Sequence, residues 1–462
     1  MAMERRPHVV IIGGGFGGLA AARALAGAPV NVTLIDRRNH HLFQPLLYQV
    51  ATAALNPSDI AYPIRAVLAR QRNVRVLLAE ALSIDVAKRH VVLDDGALDY
   101  DYLIVATGAT HSYFGKDWAQ LAPGLKSIED ALEIRRRVFL AYEAAERESD
   151  PVAQRAWLTF VVVGGGPTGV ELAGALGEIG LHTLAHDFRS IDPTQVRVVL
   201  FEAGDRVLSA YPQKLSDAGK QSLERRQVEV RLKTMVTAID PAGVTVTCGD
   251  TVDTVGSRTV LWAAGVQASP IAADLGAPRD RAGRVEVLPD LSVPGHPEVF
   301  VIGDLAKMIS AGEQVPGVAQ GALQGGKHVG KIITAEARGT STPAKRPAFR
   351  YRDKGNMATI GRASAVVATK RFALSGYLAW LMWWVVHIMF LVGFKNRLLV
   401  MFSWAWNWLT FKRGARLITG RVGPLPEVKT IGPDGQVALP AAANILRLDG
   451  DRPAIAPAPP PS

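Results

Sequence analysis

Apolar runs near the start of the chain alternate with a glycine-rich turn and a helical stretch. His8-Val-Val-Ile-Ile12 predicts a β-strand, Gly13-Gly-Gly-Phe-Gly-Gly18 a tight turn, and the alanine-rich residues 19–26 a helix. A second apolar run, 30–35, predicts another strand and ends at Asp36. A strand, a glycine turn, a helix, a strand and an acid in this order predict a βαβ unit.

The same pattern occurs a second time further along the chain. An apolar run at 158–163 leads into Gly164-Gly-Gly-Pro-Thr-Gly169, and a helical stretch follows. The next strand, 196–201, ends at Glu202. Glu202 follows its first glycine at a longer interval than Asp36 follows Gly13, which predicts a longer helix or an insertion in the second unit.

Each glycine of a Gly-x-Gly-x-x-Gly pattern has a steric role. The first makes the tight turn, the second lets a pyrophosphate approach the backbone, and the third lets the helix pack on the strand. Phosphates are then held at a helix N-terminus, where free N–H groups and the helix dipole favour anions. The predicted dinucleotide-binding glycines are Gly13, Gly15 and Gly18 in the first unit and Gly164, Gly166 and Gly169 in the second.

The acid after each second strand indicates which nucleotide is bound. The carboxylates of Asp36 and Glu202 can accept hydrogen bonds from ribose hydroxyls. A carboxylate at Glu202 would repel a 2′-phosphate, which favours NADH over NADPH, although Arg206 nearby leaves the strictness of that preference open.

Two dinucleotide sites in one chain imply a flavin and a nicotinamide that exchange hydride. Ala106-Thr-Gly108 and Gly303-Asp304 resemble two further FAD contacts of the two-dinucleotide-binding-domain flavoproteins. In that group an aspartate at the position of Asp304 accepts bonds from the ribityl chain. An ordinary turn is the alternative interpretation of Gly303-Asp304. We therefore predict FAD as the cofactor and NADH as the electron donor.

The order of these segments predicts an α/β fold with two Rossmann-like domains. The FAD-binding domain comprises residues 1–115 and 278–337, and the NADH-binding domain, 116–277, is inserted between them. Residues 338–347 form a linker to a C-terminal membrane-anchoring helical region, 345–429. A flexible, Pro/Ala-rich tail occupies 430–462.

Composition and charge exclude several classes of function. The single cysteine, Cys248, cannot form an internal disulfide, and it leaves no Cys pair for disulfide reductase or sulfide:quinone oxidoreductase chemistry. No metal site is predicted, and no basic groove or motif indicates nucleic-acid binding. The net charge of +10 suggests an anionic partner, which charge alone does not identify. Arg5 and Arg6 precede a run without a cleavage pattern, so the protein is expected to stay where it is made.

Five longer motifs occur together in this chain. They are His41-Leu-Phe-Gln-Pro-Leu-Leu-Tyr-Gln-Val-Ala51, Gly164-Gly-Gly-Pro-Thr-Gly-Val-Glu-Leu-Ala173, Trp262-Ala-Ala-Gly-Val266, Pro316-Gly-Val-Ala-Gln-Gly-Ala-Leu-Gln-Gly-Gly-Lys327 and Gly355-Asn-Met-Ala-Thr-Ile-Gly361. With them the chain resembles the type II NADH dehydrogenases over about residues 8–420. These are single-chain respiratory NADH:quinone oxidoreductases that do not pump protons.

The resemblance implies roles for residues on the quinone side. Ala319-Gln320-x-Ala322-x-Gln324 matches the quinone-site helix, so Gln320 and Gln324 are expected beside the flavin and the quinone head, with Ala319 at the cofactor. A carboxamide can bond a quinone carbonyl without a fixed charge. Solvation on a helix surface is the alternative for either glutamine.

The same resemblance implies a proton donor and a wall of the quinone site. Glu171 matches a glutamate near flavin and nicotinamide and is expected to supply a proton; an acid that only favours the helix dipole is the alternative. Gln44, Pro45 and Tyr48, with Leu46 and Leu47 between them, are expected beside the flavin and the path of the quinone, and Lys354 near its mouth. Gly265 joins Gly108 and Asp304 among the predicted cofactor contacts.

The C-terminal region contains an apolar stretch, 372–394, without Asp, Glu, Lys or Arg, which is long enough to span a bilayer. Its central cluster of Trp residues and His387 favour a position at the membrane surface, and burial in a protein interface is a third alternative. The following stretch, 396–411, predicts an amphipathic helix with Asn396, Ser403, Asn407 and Thr410 on one face. A basic run then suits anionic lipid: Lys412, Arg413, Arg416 and Arg421.

Together these observations predict an enzyme that passes two electrons from NADH through FAD to a membrane quinone. It would be attached, without spanning, to the cytoplasmic face of the cell membrane. Two other functions fit parts of the sequence: a reductase with a soluble ferredoxin or rubredoxin partner, and a membrane flavin redox sensor with little turnover. A homodimer is compatible with the sequence, but no feature requires one, and the kind of quinone is left open.

Overall fold

The computed structural model describes residues 5–410 and 413–419, Leu425, and two short strands at Thr430–Ile431 and Val437–Ala438. Lys412 and Arg421, named above, lie outside the described residues, as do position 411, at the end of the predicted amphipathic helix, and most of the predicted tail 430–462.

The helices of this part of the chain begin where the sequence offers a turn or a cap. The long helix after the first unit, for example, has a capping box, in which the hydroxyl of Ser127 accepts from the amide of Asp130 and the carboxylate of Asp130 accepts from the amide of Ser127. The α-helices are α1 (Phe16–Ala24), α2 (Leu47–Ala51), α3 (Pro57–Ile60), α4 (Ile64–Leu68), α5 (Ile128–Arg147), α6 (Pro151–Trp157), α7 (Pro167–Glu178), α8 (Gln213–Glu224), α9 (Ala319–Ala337), α10 (Tyr377–Phe390) and α11 (Phe394–Thr410).

The strands form several sheets, of which two carry the predicted nucleotide sites. In chain order the strands are β1 (His8–Ile12), β2 (Asn31–Asp36), β3 (His40–Leu42), β4 (Ala61–Pro63), β5 (Val74–Leu78), β6 (Ala81–Asp85), β7 (His90–Leu93), β8 (Gly96–Asp99), β9 (Tyr102–Val105), β10 (Ala109–His111), β11 (Thr159–Val163), β12 (Arg197–Phe201), β13 (Val228–Arg231), β14 (Met235–Asp240), β15 (Gly243–Cys248), β16 (Thr251–Gly256), β17 (Thr259–Trp262), β18 (Val266–Ala268), β19 (Val285–Glu286), β20 (Ser292–Val293), β21 (His296–Val301), β22 (Ala306–Lys307), β23 (Ile309–Ser310), β24 (Glu313–Gln314), β25 (Asn356–Thr359), β26 (Ala365–Ala368), β27 (Ala373–Gly376), β28 (Thr430–Ile431) and β29 (Val437–Ala438).

The first βαβ unit lies in a six-stranded sheet with the order β20-β21-β9-β1-β2-β5. Five of its strands run parallel and β20 is antiparallel. Residues of β1 such as Val9, Val10 and Ile11 are fully buried, as expected for a strand covered on both faces. The sheet thus combines strands from before and after the region predicted to be inserted.

Helices α1 and α9 cover one face of this sheet and lie very close to each other. A side chain at Gly326 of α9 would collide with the carbonyl oxygen of Gly17 in α1. Glycine at this position therefore lets a helix from late in the chain pack against the helix of the first unit.

The second βαβ unit lies in a parallel sheet with the order β13-β12-β11-β17, next to the antiparallel strands β14–β16. Between α7 and β12 the chain makes a π-helix, Ile179–Thr183, and a short 3-10 helix, Pro193–Gln195. The long interval between Gly164 and Glu202 is therefore due to an insertion after α7, which contains these extra turns. The prediction of two Rossmann-like units is confirmed, while the exact domain boundaries stay a prediction.

The apolar stretch 372–394 does not form one helix. It contains strand β27, which pairs with β26, and then α10, with Gly376 at φ +83° between them. Among the residues that the structure describes, no helix is long and apolar enough to cross a membrane.

Helix α11 turns its polar residues toward the rest of the protein. The side-chain amide of Asn396 donates to the carbonyl oxygen of Ser58 at 3.1 Å, and that of Asn407 donates to Ala54 at 3.1 Å. Large apolar side chains point outward from both C-terminal helices: Leu378, Leu381, Val385 and Met389 on α10, and Leu398, Leu399, Phe402, Trp406 and Leu409 on α11. We call these nine residues the apolar face.

Candidate functional site

The first glycine turn has the geometry needed to hold a pyrophosphate. Gly13 has φ +105°, and a Cβ there would lie 2.5 Å from the carbonyl oxygen of Ala106. A Cβ at Gly18 would collide with the carbonyl oxygen of Gly13, whereas one at Gly15 would meet nothing within 4 Å. Open space therefore lies in front of the second glycine, at the start of α1, where phosphates would bind.

The second turn repeats this geometry. Gly164 has φ +109°, and its Cβ would lie 2.6 Å from the carbonyl oxygen of Ala263. Gly169 approaches Gly164 too closely for a side chain, and Gly166 faces open space. Both turns thus have the close contacts and the clearance that a dinucleotide site requires.

Asp36 and Glu202 occupy equivalent positions beside the two turns. Asp36 accepts from the amide of Gly14 at 2.6 Å and from that of Arg38 at 2.7 Å. Glu202 accepts from Gly165 at 2.6 Å and from Gly204 at 2.7 Å. Each carboxylate is therefore fixed at the carboxyl end of its strand, where a ribose would lie.

Arg206, the cation that left the choice between NADH and NADPH open, bonds to other residues than Glu202. Its guanidinium donates to the side chain of Gln213 at 3.0 Å and to the carbonyl oxygen of Ser209 at 2.8 Å. Among the described residues, these are the bonds that its guanidinium makes, and no ion pair with Glu202 occurs.

A lysine that the sequence analysis did not single out lies near Asp304. Asp304 is in the 3-10 turn Gly303–Leu305, directly after β21. Burial lowers the pKa of the Lys126 ammonium, and the negative charge of Asp304 acts in the opposite direction. The backbone around Lys126 is held by Gln44, which donates to its carbonyl oxygen at 3.2 Å, and by Asp130, which accepts from its amide at 2.9 Å.

A cavity between the two nucleotide units, here called the inner cavity, brings together several predicted site residues. Gln44, Tyr48, Glu171 and Gly265 all line it, whereas Gln320, Gln324 and Pro45 are not in its wall. The complete lining is Gln44, Leu47, Tyr48, His111, Leu125, Lys126, Thr168, Glu171, Trp262, Ala263, Gly265 and Val266. A Cβ at Gly265 would lie 2.8 Å from the ring of Phe114 and 3.1 Å from the carbonyl oxygen of Ser112, so a side chain there would make these neighbours shift.

Glu171 presents a largely desolvated carboxyl group to the inner cavity. The only hydrogen bond it accepts among the described residues comes from the amide of Thr359, at 3.4 Å. Burial therefore raises the pKa of Glu171 to about 8. At neutral pH this group holds its proton, as a proton donor requires.

The two predicted glutamines of α9 have different surroundings. Gln324 is fully engaged, since its amide nitrogen donates to the carbonyl oxygen of Arg352 at 3.0 Å and its oxygen accepts from the Arg352 amide at 2.9 Å. Gln320 is half-buried in the first turn of the helix, and no hydrogen bond to its carboxamide occurs among the described residues. Gln320 is therefore the more accessible of the two.

A second cavity lies between the first unit and the C-terminal helices, and we call it the tryptophan-lined cavity. Tyr48 belongs to the walls of both cavities. Two indole N–H groups in this wall, those of Trp383 and Trp384, are buried and have no hydrogen-bond partner within the described part of the chain. The lining is Tyr48, Gln49, Thr52, Ala54, Ala175, Glu178, Thr183, Thr359, Gly361, Arg362, Trp380, Trp383, Trp384, Trp404, Asn407, Trp408 and Arg413.

The sequence analysis also did not single out the residue next to Tyr48. The amide nitrogen of Gln49 donates to the Tyr48 hydroxyl oxygen at 2.8 Å, and the indole N–H of Trp404 donates to the Gln49 oxygen at 2.5 Å. Lys354, expected near the quinone mouth, lies with its ammonium 5.6 Å from the ring centre of Phe390. The polar contacts that begin at Tyr48 thus extend to residues of the C-terminal helices.

Two family models match this chain. The pyridine nucleotide-disulphide oxidoreductase model matches residues 7–326, and the NDH2 C-terminal domain model matches residues 354–413. The first match covers both glycine turns and the inner cavity, and the second covers α10 and α11.

Similar proteins of known function cover nearly the whole chain. The type II NADH:quinone oxidoreductase Ndh of Mycobacterium tuberculosis is 50% identical over 90% of this chain and 91% of that protein. The NdhA enzyme of the same organism is 48% identical over 91% of each. The solved structure of NDH2 from Plasmodium falciparum in complex with NADH has a TM-score of 0.82, with 20% identity, over 90% of this chain and all of that one. That structure shares the fold, and the sequence identity over so much of both chains shows that this protein belongs to the type II NADH:quinone oxidoreductase family.

Proposed function

We propose that this protein takes two electrons from NADH and delivers them, through FAD, to a quinone dissolved in the membrane. The observation that carries this proposal is the position of Tyr48. It lines both the inner cavity, next to both nucleotide units, and the tryptophan-lined cavity, whose wall includes residues of α10 and α11, the helices that carry the apolar face. A water-soluble donor and a lipid-soluble acceptor could therefore approach the same centre from opposite sides.

The residues present fit FAD at the first unit. Gly13, Gly15 and Gly18 leave space for its pyrophosphate, and Asp36 would accept from the ribose. Asp304, Gly108 and Ala319 lie on the elements that would continue along the cofactor. Bound FAD supplies the two-electron carrier between NADH and quinone, and the protein's part is to bind and orient it.

NADH would bind at the second unit. Gly164, Gly166 and Gly169 give the clearance for its pyrophosphate, and Glu202, held next to the turn, would accept from its ribose hydroxyls. A carboxylate at this position would disfavour a 2′-phosphate, and Arg206 is bonded to Gln213 and Ser209. Gly265 keeps the wall between the two units open for the nicotinamide.

The quinone would lie between Tyr48 and the start of α9. Gln44 and Pro45 belong to the turn that precedes Tyr48, and the free carboxamide of Gln320 is suited to bond a quinone carbonyl. Gln324 would have a structural role and would not contact the quinone, because its bonds to Arg352 fix α9 against the segment before β25. Glu171 would hold one of the two protons that reduction of a quinone to a quinol consumes.

The apolar face would contact the cytoplasmic surface of the cell membrane. Phe402, Trp406 and Leu409 are each more than half exposed, a cost in water that contact with lipid would remove. Exposed cations beside this face, Lys370, Arg371, Lys395 and Arg397, suit anionic headgroups. Such an interfacial position would place the tryptophan-lined cavity near the lipid that carries the quinone.

Rapid anaerobic mixing tests the proposal by separating the two half-reactions. NADH should reduce the bound flavin, and a soluble quinone analogue should reoxidise it; Gln320→Leu should preserve the first step and slow the second at least about tenfold. Gln221→Leu, at an exposed glutamine of α8, is the matched control and should change neither. Equal loss of both steps in Gln320→Leu would contradict its role, and a wild-type flavin that ferredoxin but no quinone reoxidises would contradict the function itself.

A further inference from the structure

The hydrogen-bond chain from Trp404 to Tyr48 has a defined direction. An indole N–H can only donate, so the atom of Gln49 that faces Trp404 at 2.5 Å must be the carboxamide oxygen. The carboxamide nitrogen of Gln49 then faces Tyr48 and donates to its hydroxyl oxygen at 2.8 Å. Trp404 thereby decides which end of the Gln49 amide reaches Tyr48.

This direction leaves the hydroxyl hydrogen of Tyr48 free. The oxygen already accepts from Gln49, and no acceptor for the hydroxyl hydrogen occurs among the residues that the structure describes. Because Tyr48 lines both cavities, this hydrogen is available to a molecule at their junction. If the Gln49 amide were reversed, its oxygen would accept the hydrogen and the hydroxyl would offer nothing to the cavity.

The chain is shielded from water and fixed to α11. Gln49 is 7% exposed and Trp404 is 8% exposed, so solvent competes little for their bonds. The following residues are held by the same region, since Asn407 donates to the carbonyl oxygen of Ala54 and Arg413 donates to that of Thr52 at 2.8 Å. The position of Tyr48 thus depends on the docking of the C-terminal segment.

We infer that Trp404, acting through Gln49, directs the Tyr48 hydroxyl to donate a hydrogen bond to a quinone carbonyl oxygen at the junction of the two cavities. Tyr48 is then the residue that touches the substrate, and Gln49 and Trp404 are positioning residues. The donated bond stabilises the negative charge that develops on the oxygen during reduction. This inference rests on the proposed quinone position beside Tyr48.

Two conservative variants and their combination test the inference. Tyr48→Phe removes only the hydroxyl and should slow reoxidation of the reduced flavin by a soluble quinone analogue about tenfold, the effect of one hydrogen bond. Trp404→Phe keeps an aromatic ring but frees the Gln49 amide to reverse, and it should slow the same step about threefold to tenfold. Reduction of the flavin by NADH should stay unchanged in both.

The double variant distinguishes directed donation from general loosening of the site. If Trp404 acts only through the Tyr48 hydroxyl, Trp404→Phe should add nothing in a Tyr48→Phe background. A purely structural role would give effects that multiply. The dissociation constant of a non-reducible quinone analogue, measured by titration, should follow the same pattern. Trp157→Phe, at the end of α6 and in the wall of neither cavity, is the matched control.

The outcomes separate this inference from the proposed function. Unchanged reoxidation in Tyr48→Phe, or multiplying effects in the double variant, would overturn the inference while wild-type quinone reduction still supported the function. A wild-type protein whose flavin no quinone reoxidises would refute the function before any variant was compared. Bound flavin and the midpoint of thermal unfolding show whether each variant is folded.

Discussion

At the scale of single residues, Glu171 is the carboxyl group in the wall of the inner cavity. It lies one turn into α7, where an acid could simply favour the helix dipole, but the one hydrogen bond that it accepts from the described residues, donated by Thr359, is long. Desolvation therefore outweighs the favourable contacts, and the pKa rises to about 8. A carboxyl group that holds a proton at pH 7 and can release it nearby is suited to proton transfer.

We expect this pKa to appear in the pH dependence of quinone reduction. In the wild type the rate should be level below about pH 7 and fall as pH rises through about 8, because Glu171 loses the proton it supplies. Glu171→Gln should be slower at pH 7 and lack this decline. Stopped-flow reoxidation of the flavin measures both, and Glu224→Gln, at an exposed helix position, should retain the wild-type profile. A decline that persists in Glu171→Gln would assign it to another group.

The raised pKa of Glu171 also makes the stability of the folded protein depend on pH. A carboxyl whose pKa is higher in the folded than in the unfolded protein makes the folded state bind more protons between the two values. Stability should therefore fall as pH rises from about 4.5 to about 8. Glu171→Gln should remove this contribution, so the variant gains stability relative to the wild type as pH increases across that window.

Sequence reasoning found the residues that act through local backbone geometry. Gly13, Gly18 and Asp36 are fixed by a short βαβ unit, so spacing alone located them. Gln49 and Trp404 could not be found this way, because their hydrogen bond joins residues 355 positions apart. Likewise, the hydrogen bonding of the Gln324 carboxamide depends on Arg352, a residue distant in the sequence, and so could not be predicted. The predicted roles of all these residues in catalysis stay predictions.

At the scale of elements, α11 shows what the amphipathic pattern of a helix leaves undecided. Asn396 and Asn407 share a polar face, as predicted, but that face bonds to backbone carbonyls at Ser58 and Ala54. The opposite side, with Phe402 and Leu409, is exposed. Periodicity predicts two faces of a helix but does not say which one faces the protein, and here buried backbone acceptors decide it.

Charges on the apolar face should therefore weaken attachment to membranes. Phe402→Glu and Leu409→Glu each remove about 1.5–3 kcal/mol of apolar transfer energy, so each should reduce partitioning into anionic vesicles at least about tenfold. Co-sedimentation with the vesicles measures this effect. Turnover with a soluble quinone analogue should be retained. Val152→Glu, at an exposed apolar residue of α6, is the control, and an equal effect there would contradict a dedicated membrane surface.

At the scale of the whole molecule, Glu178 joins three parts of the structure. It lies at the end of α7 and accepts from Arg226, which follows α8, at 3.0 Å. Its other oxygen accepts from Arg413, after α11, at 3.3 Å, and the amide of Arg362 in the turn between β25 and β26 also donates to it. The second nucleotide unit and the C-terminal region are thus connected through one largely buried carboxylate.

Removing that carboxylate should destabilise the molecule as a whole. Glu178→Ala leaves Arg413, whose side chain is 10% exposed, without its anionic partner, which should cost about 3 kcal/mol and lower the thermal midpoint by a few degrees. Glu224→Ala breaks an exposed pair with Lys220 and should cost no more than about 1 kcal/mol. Thermal unfolding compares the two variants, and similar losses in both would show that Glu178 is not a special junction.

The order of strands in the six-stranded sheet has a consequence for synthesis on the ribosome. Strand β9 is left with a bare edge until β21 emerges, and α1 lacks its neighbouring helix until α9 has been translated. All the strands of the second unit leave the ribosome before that, so the unit inserted into the sequence can mature first. The first half of the chain must wait with an open edge that invites pairing with other chains, and we expect it to depend on chaperones during that interval.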